Sequence, residues 1–195
     1  MTLALFDFDG TITKKDSLID FIKYAHGSFN YCKGLLILSP ILLAYKLKII
    51  PNYTAKENLI SHFFKGWNII DFQKITKDYS LKKIDEIVRP KAIEKIKWHQ
   101  EKGHKIVVVS ASMECWLNGW CKKNNLELIG TKLEVKNNKL TGKFSTRNCY
   151  GIDKVNRIKE KFNLSDYDTI FAYGDSRGDK EMLGVADKKY YKTFH

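Results

Sequence analysis

The chain has 195 residues, enough to bury one full core with room for an insertion, and its composition is that of an ordinary globular protein. With 34 Lys and Arg against 22 Asp and Glu, the net charge is +12, which favours anionic partners such as phosphate esters, nucleic acid or acidic lipid headgroups. The basic residues form no compact block, and there is no zinc-finger spacing or aromatic RNA-binding signature, so no nucleic-acid partner is expected. Cys32, Cys115, Cys121 and Cys149 stand far apart without a CxxC pair. That excludes a zinc ribbon or a redox dithiol and fits free thiols in a reducing cytosol. The N-terminus runs directly into an apolar stretch with no signal-peptide pattern, so the mature protein is expected to begin at or near Met1.

The first element is the run LALFDFDGTIT, Leu3 to Thr13, an apolar strand that delivers Asp7 and Asp9 to a glycine turn. From about Lys14 to Ile87 the apolar residues recur at helical spacing, which predicts several helices. Asp16-Ser17 is placed to cap the first, and Thr54 the one continuing AKENLISHFF, with Glu57 completing a capping box. Gly27, Gly34, Pro51 and Gly66 are the expected breaks.

After Arg89 the pattern alternates. A helix opens at Pro90 and stops near Gly103. The run KIVVVSAS then reads as a strand buried on both faces, and a helix follows from about Met113 to Asn124. A strand near Leu128 precedes a hairpin, KLEVKNNKLTGKF, turning at Asn137-Asn138. Gly151 to Phe162 reads as a helix, TIFAYGDS as another buried strand, and a helix with a short strand, Lys189 to Tyr191, closes the chain. This alternation implies an α/β fold with a parallel sheet. The helical stretch is then an insertion above the strand ends, where ligands of such sheets bind.

Three apolar strands reach that edge with polar residues: Asp7 and Asp9, then Ser110, then Asp175, while the helix opened by YGIDKVNRI adds Lys154. Carboxylates and carbonyl oxygens suit a hard divalent cation, and a lysine and a hydroxyl suit phosphoryl oxygens. The motifs DFDGT, VVVSAS, CYGIDK and YGDSRGDKEML, in that order, resemble the four motifs of the haloacid dehalogenase superfamily. The insertion after the first motif is similar to the phosphoserine-phosphatase-like branch. The resemblance implies a Rossmann-like core over residues 1–13 and 88–195, a helical cap over 14–87 and a small β-hairpin.

It further implies a Mg²⁺-dependent phosphatase acting through an aspartyl-phosphate, with Asp7 as nucleophile and Asp9 as general acid and base. Mg²⁺ would be held by Asp7, the main-chain carbonyl of Asp9, and Asp175. Ser110, Lys154, Ala111 and the backbone amide of Phe8 would meet the substrate's phosphate, and Asp179 would orient the lysine or a metal-bound water. Where that branch usually has glycine after the motif serine, this chain has Ala111 and then Ser112, a departure that bears on the substrate. The dehalogenase reaction needs no acid at Asp9 and no ligand at Asp175, so phosphate chemistry is preferred. A non-catalytic phosphate-binding module is the rival from another class.

The run GLLILSPILLAYKLKII, Gly34 to Ile50, reads as a cap helix too short, and too interrupted by Pro40, to span a bilayer. Its basic flank at Lys46 and Lys48 makes an anionic membrane surface a second candidate contact, with a lipid phosphate as substrate, an arrangement similar to lipid-phosphate phosphatases of the same branch. The location expected is the cytoplasm, with peripheral contact at the inner membrane face on that second reading. Five histidines, including His99 and His104, show no ligand spacing.

Overall fold

The computed structural model describes residues 1–195. Strands β1 (Thr2–Phe6), β2 (Lys105–Met113) and β3 (Glu127–Thr131), with β6 (Thr169–Gly174) and β7 (Lys188–Tyr191), form one sheet in the order β3-β2-β1-β6-β7. All four pairings are parallel. Parallel strands are covered on both faces, and the residues alternate accordingly. Leu3, Leu5, Val107 and Ile170 meet Ile158 of helix α7 (Ile152–Lys161) and Met182 of α8 (Lys180–Gly184). Ala4, Phe6, Val108 and Tyr173 meet the other side, with α5 (Pro90–Glu101) and α6 (Glu114–Lys123).

From β1 the chain builds outward to β2 and β3, then crosses back to lay β6 and β7 on the opposite flank. The crevice at such a reversal opens beyond the carboxyl ends of β1 and β6. Asp7 and Asp175 directly follow those two strands, which are bonded to each other by the Asp7 amide donating to the Tyr173 carbonyl at 2.9 Å.

Between β1 and α5 come α1 (Ser17–Lys46), α2 (Asn52–Phe64), α3 (Ile69–Lys82) and α4 (Ile84–Ile87). The chain leaves and returns side by side. Thr13 bridges antiparallel to Val88, Lys14 N donates to Ile87 O at 2.7 Å, and Arg89 N donates to Ile12 O at 2.8 Å. Asp16 caps α1 through Leu18 and Ile19, as the sequence implied. Gly27, at φ +78, kinks α1, and Gly66, at φ +83, ends the turn after α2.

Three expectations need correction. Gly34 does not break the helix: it lies inside α1, where an added Cβ would come within 2.2 Å of the Phe63 ring, so close packing selects the glycine. Pro40 does not interrupt α1 either, and an 18-residue window of that helix reaches a mean hydropathy of 1.2. By length and composition it is long and apolar enough to cross a membrane. Thr54 is no cap, because α2 already begins at Asn52 after Pro51. Glu57 instead accepts from Phe144 N at 2.9 Å and Lys143 Nζ at 3.1 Å.

Those last partners belong to the hairpin of β4 (Leu133–Lys136) and β5 (Lys139–Phe144), turned at Asn137 and Asn138 with φ of 50° and 58°. The hairpin is fixed to the helical insertion. Leu140 exchanges backbone bonds with Gly66 and Trp67 at 2.8 and 3.0 Å, and Gly142 lies so close to Ser61 that a Cβ would meet its Cα at 2.6 Å.

On the far face of the sheet His99 is fully buried, with Nε2 at 2.9 Å from the Tyr173 hydroxyl and Nδ1 at 2.7 Å from Nδ1 of His104. Burial, with the nearby His104 and Lys95, pushes its pKa down to about 4. The unfolded chain therefore binds the proton first: this contribution to stability is complete above about pH 6.5 and lost as pH falls towards 4. His99→Gln should remove on the order of 2–3 kcal/mol of this acid sensitivity. The check is urea unfolding of both proteins at pH 7 and pH 4, compared as a difference.

Candidate active site

At the switch between β1 and β6 lies a cavity of about 190 Å³ lined by Asp7, Asp9, Asp16, Ala111, Lys154, Asp175 and Asp179, with Asn52 and Lys56 of α2 and Tyr150 above them. Its centre is Lys154, 1% exposed, whose Nζ donates to Asp7 Oδ1 at 2.5 Å, Asp179 Oδ1 at 2.6 Å and the Val109 carbonyl at 2.7 Å. All three ammonium hydrogens are thereby used. Burial works against the charged lysine, but Asp7 and Asp179 outweigh it and hold its pKa above the usual value.

Asp179 is saturated. Its Oδ2 accepts from Ser176 Oγ at 2.8 Å, Ser176 N at 3.0 Å and Asp175 N at 3.2 Å, so it closes a capping box while it aims the lysine. Burial raises its pKa, but Lys154 and the Ser176 donors prevail and keep it low. Asp7 differs: Oδ1 takes Lys154, and Oδ2 accepts no hydrogen bond from the protein. Burial lifts its carboxyl to about 7, against the pull of Lys154. The Asp175 carboxylate accepts only from Thr11 Oγ1 at 3.5 Å, and burial with Asp179 raises its pKa.

Gly10, at φ +86, makes room for Asp175. A Cβ there would stand 2.3 Å from Asp175 Oδ2, and the left-handed backbone independently favours glycine.

Five carboxylates against two lysines line the cavity of a protein that is strongly basic overall. Oxygens of Asp7, Asp175 and Asp179 come within 4.8 Å of one another. With Asp179 consumed by protein donors, the oxygens left for a hard cation are those of Asp7 and Asp175. The donor chemistry and excess negative charge fit Mg²⁺.

Asp9 is held by a directed chain of donors. Ser17 N, at the start of α1, donates to Oδ1 at 2.6 Å, and Ser112 Oγ donates to Oδ2 at 2.5 Å. Ser17 Oγ donates in turn to Ser112 Oγ at 3.1 Å, and Trp116 Nε1 donates to Ser17 Oγ at 3.2 Å. Burial and Asp16 nonetheless raise the Asp9 carboxyl to about 6, the Ser112 and Ser17 bonds opposing them.

The structure thus brings Asp7, Asp9, Ala111, Lys154, Asp175 and Asp179 to one cavity. Ser110 and Phe8 are not in its lining. β2 runs three residues past Ser110 to Met113, and the Ser110 Oγ accepts from Ser112 N at 3.0 Å. The Phe8 ring packs edge-on against Trp120. Sequence reading missed Asn52 and Lys56, whose Nζ donates to the Ala111 carbonyl at 3.2 Å, because one solvated-looking helix lysine carries no signal. Ser112 had one: it directly follows Ala111, the position at which the motif departs from its usual glycine.

The model of the haloacid dehalogenase-like hydrolases matches residues 4–184. The chain belongs to this family. Among relatives of this hydrolase, Protein CicA of Caulobacter vibrioides is 32% identical over 194 residues, covering 98% of this chain and 86% of that protein. A probable phosphatase of Mycobacterium tuberculosis is 27% identical over 190 residues, covering 93% and 65% respectively. Among solved structures, a Bordetella pertussis protein of unknown function superposes with a TM-score of 0.82 at 18% identity, over 95% of this chain and 86% of that one. A phosphoserine phosphatase carrying a phospho-aspartyl intermediate analogue gives 0.63 at 24%, over 96% and 84%. The hydrolase therefore has the fold of the phosphoserine-phosphatase-like members.

Ser112→Ala removes a donor that favours the ionised form of Asp9, so the Asp9 carboxyl pKa should rise above its value of about 6. Carboxyl carbon NMR titration of the two proteins measures the shift.

Proposed function

We propose that this hydrolase cleaves phosphate monoesters with Mg²⁺ through an aspartyl-phosphate on Asp7. One observation carries the reading: the buried Asp7 has one oxygen clamped by Lys154 and the other free of protein donors at the cavity. Asp7 and Asp175, with the Asp9 carbonyl that the family resemblance adds, are the groups that would hold the ion. Bound there, Mg²⁺ would offset the repulsion between a carboxylate and an anionic phosphate.

The chain's own residues supply the rest. The free oxygen of Asp7 forms a bond to phosphorus as the bond from phosphorus to the ester oxygen breaks, and Asp9 gives its proton to that leaving oxygen. A water oxygen then bonds to phosphorus while Asp9, now a carboxylate, takes its proton. The Asp7 carboxylate departs and phosphate is released. Lys154 keeps Asp7 in one orientation and neutralises part of the charge. Were an alcohol to replace the water, the same steps would transfer the phosphoryl group; product analysis with an added acceptor separates the two.

A second reading, a phosphate carried by a membrane lipid, is favoured by the larger cavity beside the site. It measures about 620 Å³, is lined by Pro51, Tyr53, Phe144 and Arg147 among others, and shares Asn52 and Tyr150 with the catalytic cavity. Assays on soluble and lipid phosphates in parallel choose between the substrates. The four cysteines are unpaired, which supports a cytoplasmic location.

Turnover of an aryl phosphate should require Mg²⁺ and stop with EDTA, and Asp7→Asn should lose at least about a hundredfold, roughly 3 kcal/mol of barrier, with the fold intact by circular dichroism. No turnover of any phosphate ester would favour the binding module instead. Asp9→Asn should slow alkyl phosphates far more than aryl phosphates, whose leaving groups need little protonation, and paired rate measurements on the two ester types test this.

A further inference from the structure

The half of α1 beyond Gly27 has two unlike faces. Gly34 and Leu38 are buried on one of them, Gly34 against Phe63 of α2. The other carries Phe29, Leu36, Ile37 and Leu43, continued by Leu47 and Ile49, with exposures of 81% for Phe29, 76% for Leu36 and 71% for Ile49. Positions 29, 36, 43 and 47 recur at helical spacing, so these residues make one stripe rather than scattered apolar points. A contiguous apolar stripe left to water marks an interaction surface.

The charge along this stretch of chain has one sign. From Phe21 to Lys56 there is no Asp or Glu, and the segment carries Lys23, Lys33, Lys46, Lys48 and Lys56. A second copy of this chain seated symmetrically on the stripe would set lysines against lysines. An anionic surface with an apolar interior complements both features.

The helix does not pass through such a surface, although its length and hydropathy would allow it. Ser17, at its start, donates to Asp9, and Asn52 and Lys56, just past its end, line the same cavity as Asp9. Both ends are therefore tied to one site. Crossing a bilayer would carry one of them to the far side and strip Gly34 and Leu38 from α2.

We propose that the exposed face of α1 is a docking surface for an anionic lipid bilayer, lying in the headgroup interface with Lys33, Lys46 and Lys48 at its margin. The docking stands independently of the reaction proposed above. It brings the lipid surface next to the cavity of Pro51 and Tyr53, since Ile49 and Pro51 are two residues apart.

The test is co-sedimentation of the full chain with vesicles of phosphatidylcholine, and with vesicles of phosphatidylcholine and phosphatidylglycerol in equal amounts, at low and high salt. Pelleting is expected with the mixed vesicles at low salt and should fall with added salt. The double variant Leu36→Asp/Leu43→Asp should weaken it about tenfold, with the thermal midpoint and the turnover of a soluble aryl phosphate unchanged. Lys46→Glu/Lys48→Glu probes the same surface without touching its apolar residues and should weaken it comparably. No pelleting with either vesicle, or equal pelleting with both, would overturn the proposal. So would a dimer in sedimentation velocity that Leu36→Asp/Leu43→Asp dissolves while the wild type ignores vesicles.

Discussion

Lys154 is a full positive charge with almost no access to water, held between two carboxylates and a strand carbonyl. Alone, a charge so placed would be expelled or neutralised; with both partners present each loses its hydration but gains a directed bond. Removing one partner leaves the others uncompensated, a penalty on the order of 3–5 kcal/mol in such settings. Three pieces of chain far apart in sequence must therefore arrive together: the end of β1 with Asp7, the start of α7 with Lys154, and the turn after β6 with Asp179. The sheet supplies that convergence, because β1 and β6 are hydrogen-bonded neighbours and their carboxyl ends coincide.

Asp7 and Asp9 stand two residues apart and live in different surroundings. Asp7 belongs to the sheet and its lysine. Asp9 turns the other way, to the N-terminus of α1 and to Ser112, and the indole of Trp116 backs the chain of donors from the core. The helical insertion thus contributes a backbone amide to the very group assigned the proton transfers. Displacing α1 removes that amide.

The sheet, its parallel sense, the hairpin and the acidic edge were legible in the residues because each rests on local pattern: β-branched apolar runs, Asn-Asn at positive φ, aspartates at strand ends. The ordered motifs also told which aspartates belong together. The sequence misled where a residue's reason is a distant partner. Gly34 was read as a break when its role is to admit the Phe63 ring, and Glu57 was read as a cap box when its carboxylate holds the hairpin 86 residues away. Lys56 was invisible for the same reason, since nothing near it in sequence shows that its helix starts above the cavity. The run KIVVVSAS, read as one buried strand, is met by β2 to within a residue, with Ser110 and Ser112 both buried inside it.

The helical insertion is fastened to the sheet body at several separated places, among them the seam with α6, where Trp120 N donates to Ser80 Oγ at 2.8 Å and Trp120 Nε1 to Asp85 Oδ1 at 2.7 Å. One attachment is the paired exit and return at Thr13 and Val88. Another is the hairpin, locked to the insertion by Leu140, by Glu57 and by the Gly142 contact with Ser61. A plate held along one line swings like a door; held also at points off that line, it has no axis left to turn about. Asn52 and Lys56 of α2 therefore form a wall of the Asp7 and Asp175 cavity that belongs to the same packed body as the sheet, and the position of that wall is inherited from contacts made far from the cavity itself.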